Sequence, residues 1–205
     1  MSDLTMDLVF EGSVRMGTGR PGHGLDEVID DHAPLCVAGV KGVLRDEARL
    51  LLDSRGDASA GLLDHQFITT VFGGPGAQRC PWNFDITVDE PVPVTSRASL
   101  QLNDDGSLVD GALHVKEEAW ITNATLRLFQ RDQLGANGLP SGWENDPHKV
   151  RDAHLALISV AARLADKVGQ RRTRGMGWVM FAHDPSRSLE TDVDIVEQIK
   201  EASHA

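Results

Sequence analysis

The sequence has little cysteine and no long apolar run, and each scarcity excludes a class of protein. The two cysteines, Cys36 and Cys80, are not spaced as a metal-binding pair or a disulfide framework. No stretch of about 18 apolar residues is available for a membrane helix. The N-terminal residues lack the basic start and apolar run of a secretory signal. These absences predict a cytoplasmic protein with reduced thiols and no membrane partner.

Positive charge is also scarce. The chain carries 31 acidic against 20 basic residues, a formal net charge of −11. This balance disfavours a sequence-indiscriminate nucleic-acid binder, because phosphate binding needs clustered cations. The cations are nevertheless uneven, since five basic residues and one acid lie between Arg163 and Arg174. An acidic protein with a local basic patch would suit RNA binding on one face, and an ordinary solvated acidic surface is the alternative.

The 205 residues suit a single domain with elaborations. Period-two alternation, 3.6-residue apolar stripes and Gly/Pro clusters predict its elements. In chain order they are a half-buried strand at 6–16, a helix at 40–52, a loop-rich β-like region at 73–112 with a hairpin turn at 104–106, strands within 113–130, a long connection at 131–149, a helix at 150–168 ended by Gly169, a strand at 178–182 and a partly helical acidic tail from about 190.

This order predicts an α+β fold with a ferredoxin-like (RRM-like) βαββαβ core and loop or hairpin insertions. One domain would span 1–183, with an inserted hairpin at about 76–112, and 184–205 would be an acidic C-terminal tail. Two helices would cover one face of the sheet and leave the other free, a surface on which single-stranded RNA is commonly bound.

Two further patterns lead to other expectations. The GTGRPG at 17–22 matches a dinucleotide-binding pattern, but it follows an alternating strand and opens no helix, so we interpret it as chance. Tryptophans could stack on bases. We expect Trp120 and Trp178 to be core residues instead, because both fall within predicted strands.

Four segments, in this order along most of the chain, resemble the RAMP superfamily (repeat-associated mysterious proteins) of CRISPR-associated proteins. The resemblance is closest to the repeating backbone subunits of type III effector complexes. The segments are FEGSVRMGTGRPG at 10–22, APLCVAGVKGVLRDEARLL at 33–51, RASLQLNDDGSLVDGALHVKEEAWITNATLRL at 97–128 and VAARLADKVGQRRTRGMGWV at 160–179.

The resemblance implies a subunit that binds guide RNA within a CRISPR effector complex of antiviral defence. A protein that holds any guide sequence should contact phosphate and sugar, and glycine lets backbone N–H groups approach them. The candidate RNA-binding residues are Gly39, Lys41, Gly42 and Arg45 at the first helix, Arg171, Arg172, Arg174 and Gly175 in the second glycine-rich turn, and Arg20 and His23 on the first loop. Solvated arginines in plain turns are the alternative.

The resemblance also implies possible cleavage of target RNA. Type III backbone subunits use an aspartate on the loop before the Lys-Gly helix, with a divalent metal. Asp30 matches that position and is the candidate metal ligand for Mg²⁺, with Asp31 and Asp26 as substitutes and His32 as a proton carrier. A solvated acidic loop explains the same residues without catalysis.

Three functions therefore stay open. The first is a guide-binding backbone subunit, with or without metal-dependent cleavage of target RNA, and the second is a guide-processing RAMP endonuclease that uses His32 without metal. The third is a non-catalytic capping subunit. Expected partners are guide RNA, target RNA, other effector subunits and further copies of this chain in a filament.

Overall fold

A computed structural model describes residues 3–30, 32–52, 65–76, 78–100, 103–107, 109, 113–170, 175–182 and 184–202. These residues form six strands, four α-helices and one short 3₁₀ helix. The elements are β1 (Leu4–Phe10), α1 (Val37–Leu52), α2 (Gln66–Phe72), β2 (Trp82–Val88), β3 (Val94–Ser99), β4 (His114–Ala119), β5 (Asn123–Gln130), the 3₁₀ helix (Trp143–Asn145), α3 (Pro147–Leu164), β6 (Val179–Phe181) and α4 (Leu189–Ala202).

The main sheet has four antiparallel strands in the order β2-β5-β1-β6. Alternation along β1 buries Leu4, Met6 and Leu8 and exposes Asp7 and Val9. The buried side chains join the core beneath α1 and α3, so the sheet has one covered and one open face. This arrangement confirms an α+β protein with a half-buried first strand.

The two long helices follow from the apolar spacing of the sequence. The stripe of α1 is buried as expected at Val40, Val43, Leu44 and Ala48. Helix α3 begins with Pro147 after Asp146, whose carboxylate accepts hydrogen bonds from the N–H groups of His148 (3.0 Å) and Lys149 (3.3 Å). Both helices were predicted with the correct type and approximate position.

The end of α3 differs from the prediction. The helix ends at Leu164, not at Gly169, because Ala165 adopts an extended conformation. The chain then runs extended, and the N–H of Val168 donates to the carbonyl of Gly177 at 2.8 Å. Burial of Ala165 and Val168 in the core requires this change of direction.

The second sheet is a hairpin formed by β3 and β4. The predicted turn at 104–106 is confirmed, since Asn103 donates to the carbonyl of Ser107 (2.8 Å) and Gly106, with φ of 81°, donates to that of Asn103 (2.9 Å). Within the segment 76–112 that was expected to be an insertion, β2 belongs to the main sheet and β3 to the hairpin.

The acidic C-terminal segment forms a packed helix. Helix α4 contacts α3 and α1, and buries Val196 and Ile199. Arg187 precedes it and makes an ion pair with the buried carboxylate of Asp192, Nη2 to Oδ1, at 2.5 Å. Burial acts to lower the pKa of Arg187, but the hydrogen bond and charge of Asp192 raise it above its ordinary value. The helix is therefore part of the fold.

The core beside β2 contains a fully buried histidine, His154 of α3. Its Nδ1 accepts a hydrogen bond from the indole N–H of Trp82 at 3.1 Å, and its Nε2 is 2.8 Å from the carbonyl oxygen of Gly135. The ring of Phe67 meets it edge-on at 5.1 Å. Burial lowers the pKa of His154 to about 4, against a weaker opposing effect of the Gly135 carbonyl, so the ring is neutral at neutral pH.

Among the described helices, none has the length and apolar character needed to cross a membrane.

Candidate nucleic-acid interface

Residues 13–17, here called the hub segment, bring together three parts of the chain. Val14 exchanges two backbone hydrogen bonds with Ala119 of the hairpin, at 2.8 and 2.9 Å. The carbonyls of Ser13 and Arg15 accept from the N–H groups of Gly177 (2.9 Å) and Gln170 (2.7 Å). Gly17 pairs with Ile29 across the following loop. The glycine-rich loop (residues 169–177), the 18–29 loop and the hairpin therefore share one backbone support.

Glycine is required where the glycine-rich loop meets this support. Gly169 has φ of 89°, and a Cβ there would lie 2.5 Å from the carbonyl oxygen of Arg15. Gly177 has φ of 72°, and its Cβ would lie 1.9 Å from the carbonyl oxygen of Val168. In both cases the Cβ would collide with protein backbone, so these glycines allow the loop to pack closely against the chain. Gly175 is exposed with φ of 77° and open space around it.

The three arginines predicted to bind RNA from this loop, Arg171, Arg172 and Arg174, lie outside the described residues, as does Asp31 of the predicted catalytic loop.

A buried charged cluster, which we call the Glu27 cluster, connects the three parts through side chains. The carboxylate of Glu27 is 3.3 Å from Nη2 of Arg15, and accepts from Nζ of Lys116 at 3.0 Å and from Nε2 of Gln170 at 3.2 Å. Burial acts to raise the pKa of Glu27, but the hydrogen bonds from Lys116 and Gln170 and the charges of Lys116 and Arg15 outweigh it and lower the pKa. The carboxylate is therefore ionised at neutral pH.

Two acidic residues of the hairpin make further contacts with residues 13–29. The carboxylate of Glu118 accepts from the hydroxyl of Ser13 at 3.0 Å and pairs with Nε of Arg97 at 3.0 Å. The carboxylate of Glu117 accepts from the N–H of Ile29 at 3.0 Å. Both therefore hold the hairpin against residues 13–29.

The position of Arg15 corrects the sequence interpretation. The alternation predicted for a strand at 6–16 would place Ser13 and Arg15 on its polar side, yet both side chains are buried. The regular pairing of β1 ends at Phe10, so the alternation does not continue through the hub segment. The Glu27 cluster was missed because its members are far apart in sequence.

A groove of about 840 Å³ lies beside the hub segment and the start of α1. Asp30 and His32 both line it, and the backbone N–H of His32 donates to Oδ1 of Asp30 at 3.0 Å. No lysine or arginine is among the described residues that line it. The full lining is Met16, Gly17, Thr18, Asp30, His32, Ala33, Pro34, Leu35, Cys36, Val37, Ile86, Thr87, Val88, Glu90, Pro91 and Val92.

The candidate residues of α1 lie within or near its first turns. Gly39 is exposed, and a Cβ there would lie 3.3 Å from the sulfur of Met16. Lys41 is partly buried, with Nζ 5.7 Å from the centre of the Phe84 ring. Gly42 and Arg45 are also partly buried. The charge of Lys41 is thus directed towards β2.

The candidates on the first loop are solvent-exposed. The N–H of Arg20 donates to the hydroxyl of Thr18 at 3.2 Å, and its carbonyl accepts from the N–H of Val28 at 3.2 Å. His23 has φ of 51°. Asp26, the alternative to Asp30, instead accepts from the N–H of Val115 at 2.7 Å and so serves the contact with the hairpin.

The tryptophans expected in the core at 120 and 178 are exposed. Trp120 is 45% exposed and donates from its indole to the hydroxyl of Thr95 at 3.0 Å. Trp178 is 41% exposed, and Nζ of Lys167 lies 3.7 Å from its ring centre. The strand prediction for 178–182 is correct, but residue 178 faces the open side of the sheet.

Within the described ranges, no group of three or more His, Cys, Asp or Glu side chains is arranged to hold a metal ion. Asp30 and Glu90 are the carboxylates that line the groove. Mg²⁺ often binds to one or two carboxylates together with phosphate and water. The described residues of the groove therefore do not form a complete metal site by themselves, and Asp30 could supply one ligand of a shared site.

Comparisons with known proteins show the fold. No family model matches the sequence, and no curated protein matches it. A solved chain described as "Type IV-B CRISPR Complex" is similar in structure, with a TM-score of 0.51 and 14% sequence identity. The alignment covers 90% of this chain and 91% of that chain, so the likeness extends through nearly the whole molecule.

Proposed function

We propose that this protein is a RAMP-superfamily subunit of a CRISPR effector complex that binds guide RNA along its sugar–phosphate backbone. The observation that carries the proposal is the likeness in fold to a chain of a Type IV-B CRISPR complex over 90% of the length. The resemblance to type III backbone subunits came from the sequence alone. The effector type is therefore the part of the proposal that a test with partner subunits must decide.

The topology supports this assignment. The four strands of the main sheet occur in the chain as β1, β2, β5 and β6, and lie in the order β6-β1-β5-β2. Helices connect β1 to β2 and β5 to β6, and all neighbouring strands are antiparallel. A βαββαβ unit with this order is the ferredoxin-like arrangement, so we assign the core to that class.

The arrangement around the hub segment favours RNA over other ligands. Gln170 and Gly177, at the two ends of the glycine-rich loop, are hydrogen-bonded to residues 13–15, and the loop with Arg20 is hydrogen-bonded to Thr18, so we propose that the cations of both loops serve one RNA. The groove lies between the hub segment and the start of α1. Its lining includes two carboxylates, and no lysine or arginine among the described residues. We therefore propose that phosphates are held by the loops and by backbone N–H groups.

The proposed partners are guide RNA, target RNA, other effector subunits and further copies of this chain, in a cytoplasmic complex. The direct test is to purify the chain together with its neighbouring subunits and to ask whether RNA of defined length is present. We expect such RNA. Assembled subunits free of nucleic acid would contradict the proposal.

A charge-removal variant sharpens this test. Replacing Arg171, Arg172 and Arg174 together by alanine should weaken RNA binding and reduce the slope of log affinity against log salt by about 0.7 for each lost phosphate contact to single-stranded RNA. The matched control removes three exposed cations elsewhere, at Arg79, Arg131 and Lys149. An equal loss in both variants would mean that the loop contributes general charge only.

A second candidate activity is metal-dependent cleavage of target RNA, which the shared position of Asp30 and His32 on the groove favours. A bound Mg²⁺ would stabilise negative charge on the reacting phosphate. Asp30 would hold it, and the exposed groove would admit the RNA strand. Asp30→Asn should abolish Mg²⁺-dependent cleavage and leave guide RNA bound, whereas Glu144→Gln, an exposed acid elsewhere, should change neither.

Two other outcomes of the cleavage assay distinguish the two alternative functions. Cleavage that persists in chelator and is lost in His32→Ala would identify a guide-processing endonuclease. Intact assembly without cleavage under either condition would identify a non-catalytic capping subunit.

A further inference from the structure

The two edge strands of the main sheet differ in how their outer backbone groups are bonded. At β6, the N–H of Val179 donates to the carbonyl of Asp166 at 2.9 Å, and the carbonyl of Phe181 accepts from Nη1 of Arg163 at 2.9 Å. The end of α3 and the residues after it therefore cover this edge. An edge without such cover is open to pairing with another chain.

The hydrogen-bond pattern shows which backbone groups of β2 face outwards. Beyond one end of the strand, the N–H of Asp89 donates to the carbonyl of Asn123 at 3.1 Å. Beyond the other end, the N–H of Arg131 donates to the carbonyl of Pro81 at 2.8 Å. Hydrogen-bonded pairs alternate along an antiparallel ladder, so the odd-numbered residues of β2 bond to β5 and the even-numbered residues face outwards.

The outer edge of β2 lacks the cover that β6 has. The carbonyl of Trp82 accepts from Sγ of Cys80 at 3.4 Å. No described residue hydrogen-bonds to the outward N–H and carbonyl groups of Phe84, Ile86 and Val88. The strand also contains no proline or lysine, two residues that commonly protect an exposed edge. Most of this edge is therefore available to another strand.

The core is also incomplete along this edge. The side chains of Ile86 and Val88 lie on the covered face of the sheet with that of Phe84, yet Phe84 is buried and the other two are only partly buried. They line the groove of about 840 Å³ together with the apolar side chains of Val37 and Val92. The unpaired backbone edge and the open apolar groove therefore coincide at the end of β2.

We propose that the edge of β2 from Phe84 to Val88 binds an extended segment of a partner protein, which adds a strand to the main sheet. Backbone hydrogen bonds would hold the segment, its alternate apolar side chains would fill the groove, and a lysine or arginine would meet the groove carboxylates. This inference goes beyond the proposed function, because it assigns a protein contact that does not depend on guide RNA.

Charge and backbone chemistry favour a protein segment over RNA as the occupant. The carboxylates of Asp30 and Glu90 line the groove, and no lysine or arginine is among its described lining residues. These carboxylates attract a lysine or arginine of the segment and repel phosphate. A peptide strand also repeats N–H and carbonyl groups at the spacing of β2, whereas a sugar–phosphate backbone has no N–H groups. The segment would compete with a target RNA strand for the groove.

The test measures binding of fluorescently labelled peptides to the full chain. Each peptide is 7 residues long, like β2, and alternates one apolar residue type (valine, leucine, isoleucine or phenylalanine) with lysine and threonine. At least one should bind, and replacing its lysines by glutamate should weaken binding by about tenfold. N-methylation of one alternate set of residues should abolish binding, because it removes the N–H groups that face β2, whereas methylation of the other set should not.

Two variants test the site on the protein side. Ile86→Pro removes an outward N–H without breaking the ladder to β5, and proline is tolerated at such positions of an edge strand. It should weaken peptide binding by about tenfold, because one peptide carbonyl loses its donor. Glu90→Lys should weaken binding of the lysine peptide and strengthen binding of its glutamate version. Asn83→Ala, on the exposed face of the same strand, is the matched control and should change neither.

Three results would overturn the inference. They are the absence of binding by every peptide, equal effects of the two N-methylated sets, and unchanged binding in Glu90→Lys or in a stable Ile86→Pro. A labelled oligouridylate whose binding falls in Ile86→Pro would overturn it in favour of RNA at this edge. The melting temperature of Ile86→Pro shows whether the fold is kept, and if it is lowered, Glu90→Lys decides the outcome.

Discussion

The region around the hub segment and the region around His154 are stabilised in opposite ways. The first depends on ionised groups, with Glu27 between Arg15 and Lys116 and with glycines that permit close backbone contacts. The second depends on apolar packing around a single neutral histidine bonded to Trp82 and Gly135. Ion pairs stabilise the part that we propose to bind RNA, whereas apolar packing and an uncharged histidine stabilise the core beside β2.

The difference shows how a small fold can hold several loops in defined positions. Residues 18–29, 169–170 and 175–177 have no long helix or strand of their own. The Glu27 cluster therefore supplies contacts that the hydrogen bonds of a sheet would otherwise provide. A buried ion pair stabilises little by itself, but removal of one partner is costly because the other charge stays buried. The two regions should therefore respond differently to charge removal and to acid.

The largest effect is expected from Glu27→Ala. It removes the carboxylate that pairs with the fully buried guanidinium of Arg15 and with Lys116, which should lower the free energy of unfolding by about 3–5 kcal/mol. Urea denaturation measures this change. In the matched control, Arg15→Met with Glu27→Leu removes both charges and should recover much of the loss. Equal destabilisation in the single and double variants would show that the ion pair is not the reason.

Acid should act mainly on the His154 region. The folded protein binds the proton of this ring at about pH 4 and the unfolded chain at about pH 6.5, so the unfolded state binds more protons between these values. Stability is therefore full above pH 6.5, falls as the pH decreases, and has lost about 3 kcal/mol below pH 4. His154→Gln should flatten this part of the curve of unfolding free energy against pH. If the unfolding free energy of the variant falls with pH as steeply as that of the unaltered protein, a group other than His154 causes the acid sensitivity.

A smaller effect is expected from Gly177→Ala, which tests the seating of the glycine-rich loop. A side chain costs about 1–2 kcal/mol at positive φ, and here its Cβ would also collide with the carbonyl of Val168. Gly175→Ala provides the control, because its φ is similar but the space around it is open. The difference between the two melting temperatures measures the collision alone, and no difference would mean that the loop moves aside freely.

The sequence predicted the strands and helices well where burial repeats along the chain. The stripe of α1, the alternation of β1 and the short strand at β6 all reflect side chains that face one common core. Prediction was wrong where the chain leaves that pattern. Gly169 was expected to end α3, but the helix stops at Leu164 so that Ala165 and Val168 reach the core.

The candidate site was predictable only in part. Asp30 and His32 were identified by resemblance and share a groove, and the catalytic role of both stays a prediction. Glu27, Lys116 and Gln170 were not identified, because no local pattern links residues separated by 89 and 143 positions. The exposure of Trp178 was also missed, since strand alternation shows that neighbours face opposite sides without showing which side is covered.

Local sequence by itself determined the element types, the hairpin turn and the uneven distribution of cations, because these depend on neighbouring residues. Tertiary structure alone decided that Arg15 is buried, that Trp178 is exposed and that the hairpin and the ends of the glycine-rich loop meet at residues 13–17. The physical reason is that burial and ion pairing are set by whatever packs against a side chain. In this fold several of the packing partners lie 89 to 143 positions away along the chain.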